Sequence, residues 1–309
     1  MLKREFLVTS FSGTNQRLDI FLSEKIKELS RSQLQKAIEE EKVRVNSALR
    51  RSSYRLKEGD TVEIEFRLKE PEKVEGEDIP LEIIYSDNHL VVVNKPSGMV
   101  VHLGARNRRG TLVNALLYHF PGLKKIGAEE RPGIVHRLDK ETSGVMVVAK
   151  SLRAYKELQR QFKKREVKKV YLGLVWGRMP EKEGKIDWPL GRHLKHGERI
   201  SVSTKKPRPA ETRYSVQEEL GNFTLLEIKP VTGRTHQIRV HLATSGHPLV
   251  GDLRYGCRKS KIKYPRLFLH ASHLSFIHPD KGERVEYFSP LPEDLEEFLE
   301  TIQKRVSSQ

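Results

Sequence analysis

The chain has 309 residues and a formal net charge of +16, from 57 Lys and Arg against 41 Asp and Glu. That length allows two domains with a sizeable core, and so large a basic excess favours a polyanion (RNA, DNA or an acidic membrane) through counterion release. The single cysteine, Cys257, excludes an internal disulfide and a Cys-rich zinc site and fits a reducing compartment. No apolar run approaches membrane-spanning length, and the start Met1-Leu2-Lys3-Arg4-Glu5-Phe6 lacks a signal-peptide core, so a cytoplasmic protein is expected.

In chain order, residues 15–70 read as a small α+β domain. Leu18, Phe21, Leu22 and Ile26 recur at helical spacing, and Ser30 with Gln33 forms a capping-box pattern ahead of a second helix carrying Leu34, Ala37 and Ile38. Val43 and Val45, then Val62, Ile64 and Phe66, alternate at strand period, with a turn at Gly59-Asp60. Between Ser30 and Lys57 eight basic residues face three acidic ones, which leaves a basic surface. Residues 71–80, acidic and bounded by Pro71 and Pro80, predict an extended linker. From 81 to 309 apolar runs at 81–85, 90–94 and 145–149 alternate with helical patterns near 111–119 and 151–164. Strands follow near 170–175, 212–217, 223–229, 266–270 and 284–288, and the chain closes on an amphipathic helix with Leu295, Phe298, Leu299 and Ile302. The pattern predicts an α+β fold: a mixed, mainly antiparallel sheet with a central cleft, plus the small N-terminal α+β domain.

Five segments carry chemistry. His136-Arg137-Leu138-Asp139-Lys140-Glu141-Thr142-Ser143-Gly144 sets a carboxylate between two cations and between two apolar runs. Cationic neighbours favour the ionised form, and an ionised carboxylate is a base or nucleophile that needs no cofactor. Taken alone, the string reads more readily as a polar turn between strands. Asn94-Lys95-Pro96-Ser97-Gly98-Met99-Val100-Val101-His102 is a strand entering a tight turn. Lys169-Val170-Tyr171 opens a strand whose tyrosine is either half in the core or free to stack on a base and handle a proton. In Gly233-Arg234-Thr235-His236-Gln237-Ile238-Arg239-Val240-His241, Thr235 can cap a helix that Gly246 and Pro248 end, with Arg239 facing either a cleft or solvent. Leu267-Phe268-Leu269-His270-Ala271 is an apolar strand able to wall a pocket.

All five, taken in chain order, resemble the RluA family of pseudouridine synthases, and the resemblance runs from residue 15 to about 305. The start is similar to the S4 RNA-binding module at Arg17-Leu18-Asp19, Ser30-Arg31-Ser32, Val43-Arg44-Val45-Asn46 and Gly59-Asp60; two glycines usual in that module are replaced, around Glu41-Lys42 and at Ser47. The stretch Val100-Val101-His102-Leu103-Gly104 is most similar to the RluD-like members, which modify a large-subunit ribosomal RNA hairpin. The resemblance implies Asp139 as the essential aspartate, Tyr171 as the tyrosine against the base and Arg239 as the arginine paired with the aspartate. It also implies Arg137 as the residue that enters the RNA when the target nucleotide is extruded, and Leu269 and His136 as pocket residues. Arg31, Arg44, Arg50 and Arg51 are the RNA contacts it implies on the S4-like module.

The expected reaction breaks the N1–C1′ bond of uridine, turns the base and rejoins it through C5. Nothing is oxidised and no group leaves, so no cofactor and no metal are expected. Asp139 either attacks the sugar or removes a sugar proton to give a glycal. The expected partner is ribosomal RNA or a pre-ribosomal particle, bound by a monomer; transfer RNA is the alternative substrate. The loop 254–266 adds Arg254, Arg258, Lys259, Lys261, Lys263 and Arg266 with Tyr255 and Tyr264 interleaved, suited to phosphates and unpaired bases or simply to solvent. A metal nuclease is disfavoured because His236 and His241 lie about 140° apart on a helix. A non-catalytic RNA-binding assembly factor has no use for a carboxylate beside its RNA contacts.

Overall fold

The computed structural model describes residues 2–10, 12–66, 74–104, 107–194, 196, 199–256 and 264–308. The chain divides into two units, Met1–Glu72 and Lys73–Gln309. Cys257 and the basic residues Arg258, Lys259, Lys261 and Lys263 lie outside the described residues, as do residues 71–73 of the expected linker.

The first unit comprises β1 (Leu2–Leu7), α1 (Leu18–Lys25), α2 (Arg31–Glu39), β2 (Val43–Val45), β3 (Ala48–Leu49) and β4 (Thr61–Phe66). The strands form one sheet in the order β1-β4-β2-β3. Its core is the one the periodicity marks: Leu18, Phe21, Leu22, Ile26, Leu34 and Ile38 from the helices against Val43, Val45, Val62 and Ile64. The capping box at α2 forms, with Gln33 N–H donating to Ser30 Oγ and Ser30 N–H to Gln33 Oε1. The strand β1 has no counterpart in the expected elements. It pairs antiparallel along the whole of β4, Leu2 opposite Phe66 through Leu7 opposite Thr61, but as an edge strand it buries none of its side chains fully, so its apolar residues carry no clean alternation.

Asp19 at the start of α1 is fully buried and accepts hydrogen bonds from Arg17, Arg31 and Gln35. Burial alone would raise its carboxyl, and these three donors outweigh it and hold it far below the usual carboxylate range. Arg31 has a structural role, since both Nε and Nη2 go to Asp19, at 3.1 and 2.8 Å, while its side chain stays half exposed. Arg44, Arg50 and Arg51 are exposed, Arg50 lying over the Tyr54 ring at 5.0 Å. Glu41 and Ser47 both adopt left-handed backbone, with φ of 61° and 62°. These are the positions that lack the usual glycine, and the fold keeps the turn conformation without it. A non-glycine residue there costs about 1–2 kcal/mol, so Ser47→Gly is expected to stabilise the unit by up to about 1 kcal/mol after the added unfolded-chain entropy, measured by denaturant unfolding.

The second unit begins with residues 74–80, which do not behave as the expected linker. Val74 is buried in the core with Leu112 and Leu116, Asn114 Nδ2 donates to Glu75 O at 2.8 Å, and Glu77 Oε2 accepts from Gly110 N at 3.1 Å. The acidic composition resembles a solvated tether, yet polar groups of this segment are matched to the start of the following helix.

Beyond it come β5 (Glu82–Ser86), β6 (Leu90–Lys95), α3 (Leu112–His119), β7 (Ser143–Ala149), α4 (Leu152–Lys164), β8 (Lys168–Trp176) and β9 (Glu183–Ile186). A small hairpin, β10 (Gly191–Arg192) and β11 (Ile200–Ser201), precedes β12 (Thr212–Leu220), β13 (Phe223–Pro230), α5 (Gln237–Thr244), β14 (Leu269–Ile277), β15 (Arg284–Phe288) and α6 (Glu293–Ser307). Nine strands make one sheet, ordered β5-β6-β7-β14-β8-β13-β12-β9, with β15 also on β14. Every pairing is antiparallel except β7 with β14, which meet only at His270–Ser143 and Ala271–Gly144. The sheet is thus mixed and mainly antiparallel, and it forks where β14 leaves β7. Gly144 permits that junction: its φ is 121°, and a Cβ there would collide with the Ala271 backbone. No helix among the described residues is long and apolar enough to cross a membrane.

Candidate active site

The fork in the sheet opens a cleft of about 520 Å³ lined by Arg137, Asp139, Tyr171, Arg239 and Leu269 among others. Asp139 lies in the irregular segment that enters β7, with its carboxylate 16% exposed. The segment is clamped from the turn after β6. Gly98 N–H donates to Lys140 O at 2.8 Å and Ser97 Oγ to Glu141 O at 2.7 Å. Lys95, fully buried, donates from Nζ to Pro96 O, Met99 O and Lys140 O at 2.7, 2.9 and 3.3 Å. Burial pulls that ammonium down to about 7, against the fields of Asp139 and Glu141. Lys95 thus staples two loops, one of which carries Asp139. Lys95→Met should leave buried carbonyls unpaired and cost about 1–3 kcal/mol of stability, read by denaturant unfolding.

Arg239 projects from α5, and its side chain is 5% exposed. A buried guanidinium needs a carboxylate, and its principal one is Asp252: Nε to Oδ2 at 2.7 Å and Nη2 to Oδ1 at 2.8 Å, a bidentate fork. Asp252 also accepts the backbone N–H groups of Arg254 and Tyr255. Arg239 Nη1 is left facing Asp139 Oδ2 at 3.8 Å and Glu141 Oε2 at 3.4 Å. The expected Arg239–Asp139 pair therefore exists at ion-pair range, while the hydrogen bonds that fix the arginine come from elsewhere.

His236 also faces the carboxylate, Nε2 lying 3.9 Å from Asp139 Oδ2. It is the residue before α5, in left-handed backbone with φ 52°, and its side chain does not cap the helix. The expected Thr235 cap is thus replaced: Gln237 Oε1 reaches back to Arg234 N–H at 3.1 Å. His236 Nδ1 bonds the Tyr255 hydroxyl at 2.8 Å, and that hydroxyl accepts from Ile200 N–H at 3.2 Å. Burial lowers the His236 pKa, against Asp139, so the ring is neutral near pH 7. His241 turns away, its ring nitrogens meeting Thr212 Oγ1 and Trp188 O, both at 2.9 Å.

Tyr171 lies on β8 between Ile228 of β13 and Ala271 of β14. Burial, then the charge of Asp139, pushes its phenol above the ordinary range, so it is a proton donor and not a phenolate at neutral pH. Lys169, two residues before it, is pulled down to about 8 by burial. Leu269 at the start of β14 is buried and supplies apolar wall. Arg137 is exposed at the mouth, its Nη1 3.2 Å from His102 Nε2, which joins the turn after β6 to the Asp139 segment. His136 lines the cleft, but its ring serves the scaffold: Nε2 accepts from Val147 N–H at 3.1 Å and the face stacks on Phe162 at 4.6 Å. Burial, reinforced by Lys169, lowers it to about 3, so the ring stays neutral as that acceptor role requires.

Asp139, Tyr171, Arg239, Arg137, Leu269 and His136, drawn from distant parts of the chain, are thereby gathered around one cleft. The sequence does not mark Asp252, His236, Lys95 or Lys169 as functional, and it marks Tyr255 only as part of a loop suited to bases or to solvent, not as a partner of His236. Only Asp252 leaves a usable signal: an arginine on the buried face of a short helix demands a carboxylate, and Val250-Gly251-Asp252 sets one inside an apolar turn.

The cleft fits a polyanion carrying a reactive sugar: Asp139 is its one carboxylate among the described lining residues, surrounded by Arg137, Lys163, Arg165, Lys169, Arg234 and Arg239. Comparison with known proteins agrees. The RNA pseudouridylate synthase family profile matches residues 89–244 and the S4 domain profile residues 16–62. The chain is 42% identical to the ribosomal large subunit pseudouridine synthase D of Nitrosomonas europaea, over 93% of this chain and 84% of that protein. It is 43% identical to an RNA pseudouridine synthase of Aquifex aeolicus, over 97% and 98%. Among solved structures, human RNA pseudouridylate synthase domain containing 1 superposes with a TM-score of 0.57 at 31% identity, covering 76% of this chain and 98% of that one. The chain belongs to the RNA pseudouridylate synthase family and carries an N-terminal S4 domain. It is an RNA pseudouridine synthase of the kind represented by the D-type enzymes.

Proposed function

We propose that the enzyme isomerises uridines of large-subunit ribosomal RNA to pseudouridine in the cytoplasm, acting as a monomer, with Asp139 as the group that starts the reaction. The observation that carries this reading is Asp139, the one carboxylate among the described lining residues of a cationic cleft, held beside an arginine whose own position is fixed by Asp252.

Chemistry follows from the surroundings. The target nucleotide must leave its stack, at a cost of a few kcal/mol that is smallest in a loop. Arg137, exposed at the mouth, fills the gap and stacks on the neighbours. The uracil then lies against Tyr171 and Leu269. Asp139, facing Arg239 at 3.8 Å, attacks C1′ or takes the C2′ proton. When N1–C1′ breaks, the departing uracil carries negative charge, and cationic Arg239 with the protonated Tyr171 phenol stabilises it while it turns. Joining C5 to C1′ frees the carboxylate, either by displacing it from C1′ or by returning to C2′ the proton it took. The C5 proton is then lost and N1 takes one up, so the product is an isomer and the cycle closes without oxidant, reductant or leaving group.

The ribosomal target rests on the S4 domain and on the D-type relatives, whose names specify the large ribosomal subunit. Mapping pseudouridines in ribosomal and transfer RNA from cells with and without the gene tests it. Loss at large-subunit sites is expected; loss confined to transfer RNA would move the target while leaving the chemistry in place.

A further inference from the structure

We infer that the groove beside the β10–β11 hairpin is a second RNA-backbone subsite, which holds the phosphates of the strand leading out of the active cleft. This rests on the reading of the cleft as the uridine site.

The groove has a volume of about 500 Å³ and is lined by Arg192, His193, Lys205, Lys206, Arg208 and Arg234, with no carboxylate among its described lining residues. Arg192, Lys205, Lys206 and Arg208 are exposed. Elsewhere on this unit exposed cations are commonly neutralised in place, as Lys185 is by Asp187 at 2.8 Å and Arg213 by Glu211 at 2.9 Å. No ion pair with a described carboxylate is formed by Arg192, Lys205, Lys206, Arg208 or Arg234. Like charges gathered without counter-charges repel one another, and a polyanion relieves that repulsion while shedding its own counterions.

Geometry joins the groove to the reaction. Arg234 and Thr235 line both the groove and the active cleft, so one strand can run through the two without a break. Arg234 is oriented at that junction, its Nε donating to Pro209 O at 3.0 Å. The walls are preformed: Leu190 and Arg208 exchange both backbone hydrogen bonds at 2.9 Å. Beneath them Leu190 packs in a small core with Ala210 and Val240 of α5, the helix that carries Arg239. A nucleotide flipped into the cleft draws its flanking phosphates against the rim, and this groove is a cationic continuation of it. Leu194, 51% exposed at the groove, offers apolar surface to a ribose or an unstacked base.

The test uses the full chain and a short uridine-containing hairpin transcript, with binding followed by fluorescence anisotropy over a range of KCl. The triple variant Arg192→Ala, Lys206→Ala, Arg208→Ala is compared with Lys124→Ala, Lys125→Ala, which removes exposed charge outside both cleft and groove. The expected result is at least about ten-fold weaker binding, with the slope of log affinity against log salt shallower by about two. Turnover at saturating RNA should be retained. A charge-preserving variant, Arg192→Lys with Arg208→Lys, should keep most of the affinity, which separates lost charge from damaged folding. Affinity and slope no more altered than in the Lys124/Lys125 control would overturn the subsite. Because binding is read apart from catalysis, wild-type protein that binds in the groove but makes no pseudouridine would instead refute the reading of the cleft.

Discussion

Asp139→Asn is expected to lower turnover by about 10⁴-fold, the upper end of what a positioned acid or base contributes, with RNA binding retained. The substitution keeps the shape, removes the charge and turns one acceptor oxygen into an N–H donor, so neither a base nor a nucleophile remains. Because Lys95, Ser97 and Gly98 hold the backbone of this segment, the asparagine should sit where the carboxylate sat. Binding should survive because the carboxylate repels phosphate and the cations of the cleft are untouched. Single-turnover assays beside equilibrium binding check both halves: activity near the wild-type level would remove Asp139 from the chemistry, and lost binding with a disordered protein would make it structural.

Asp252→Ala should be the most destabilising change in the site, costing about 3–5 kcal/mol, because it leaves the Arg239 guanidinium buried without its bidentate partner. Activity should fall with it, since Arg239 is then free to collapse onto Asp139. Replacing both residues, Arg239→Met with Asp252→Leu, should restore much of the stability, as apolar pairs often do for buried ion pairs, yet leave the enzyme inactive. Denaturant unfolding and turnover on the same preparations separate the two effects. The pair also sets a pH dependence. Burial pushes the Asp252 carboxyl up, but Arg239 and the N–H groups of Tyr255 and Arg254 outweigh it and hold it below the ordinary carboxylate value. A depressed folded pKa contributes stability that is fully present above the unfolded value, near about 4, and is lost as pH falls through the folded one. The wild type should therefore lose more stability below about pH 4 than Arg239→Met/Asp252→Leu does.

Much of this architecture is legible in the chain, for reasons that differ by element. The α2 start can be read because Ser30 and Gln33 satisfy each other's backbone locally, and α6 because Leu295 and Ile302 mark a face that must be covered. Asp139, Tyr171 and Arg239 can be named through resemblance to a family; their local chemistry alone favours a turn, a strand tyrosine and a surface arginine. What cannot be read depends on long-range partners. β1 gains its place only by pairing with β4, at the far end of the same unit, and the acidic stretch after Pro71 looks like a tether until its backbone meets Asn114. Tyr255 acquires a role only because His236 and Ile200 converge on its hydroxyl. The parallel contact of β7 with β14, which opens the cleft, spans only two residue pairs and leaves no periodicity to find.

Release of tritium from RNA labelled at uridine C5 tests the central claim most directly, because joining C5 to the sugar expels that hydrogen. Purified protein with a C5-labelled large-subunit ribosomal RNA transcript, in EDTA and without added nucleotide, is expected to release tritium to water in step with pseudouridine found in the digested RNA, and Asp139→Asn is expected to release none above background. Release by Asp139→Asn at the wild-type rate, or none by the wild-type enzyme on ribosomal and transfer RNA alike, would contradict the assignment of this cleft.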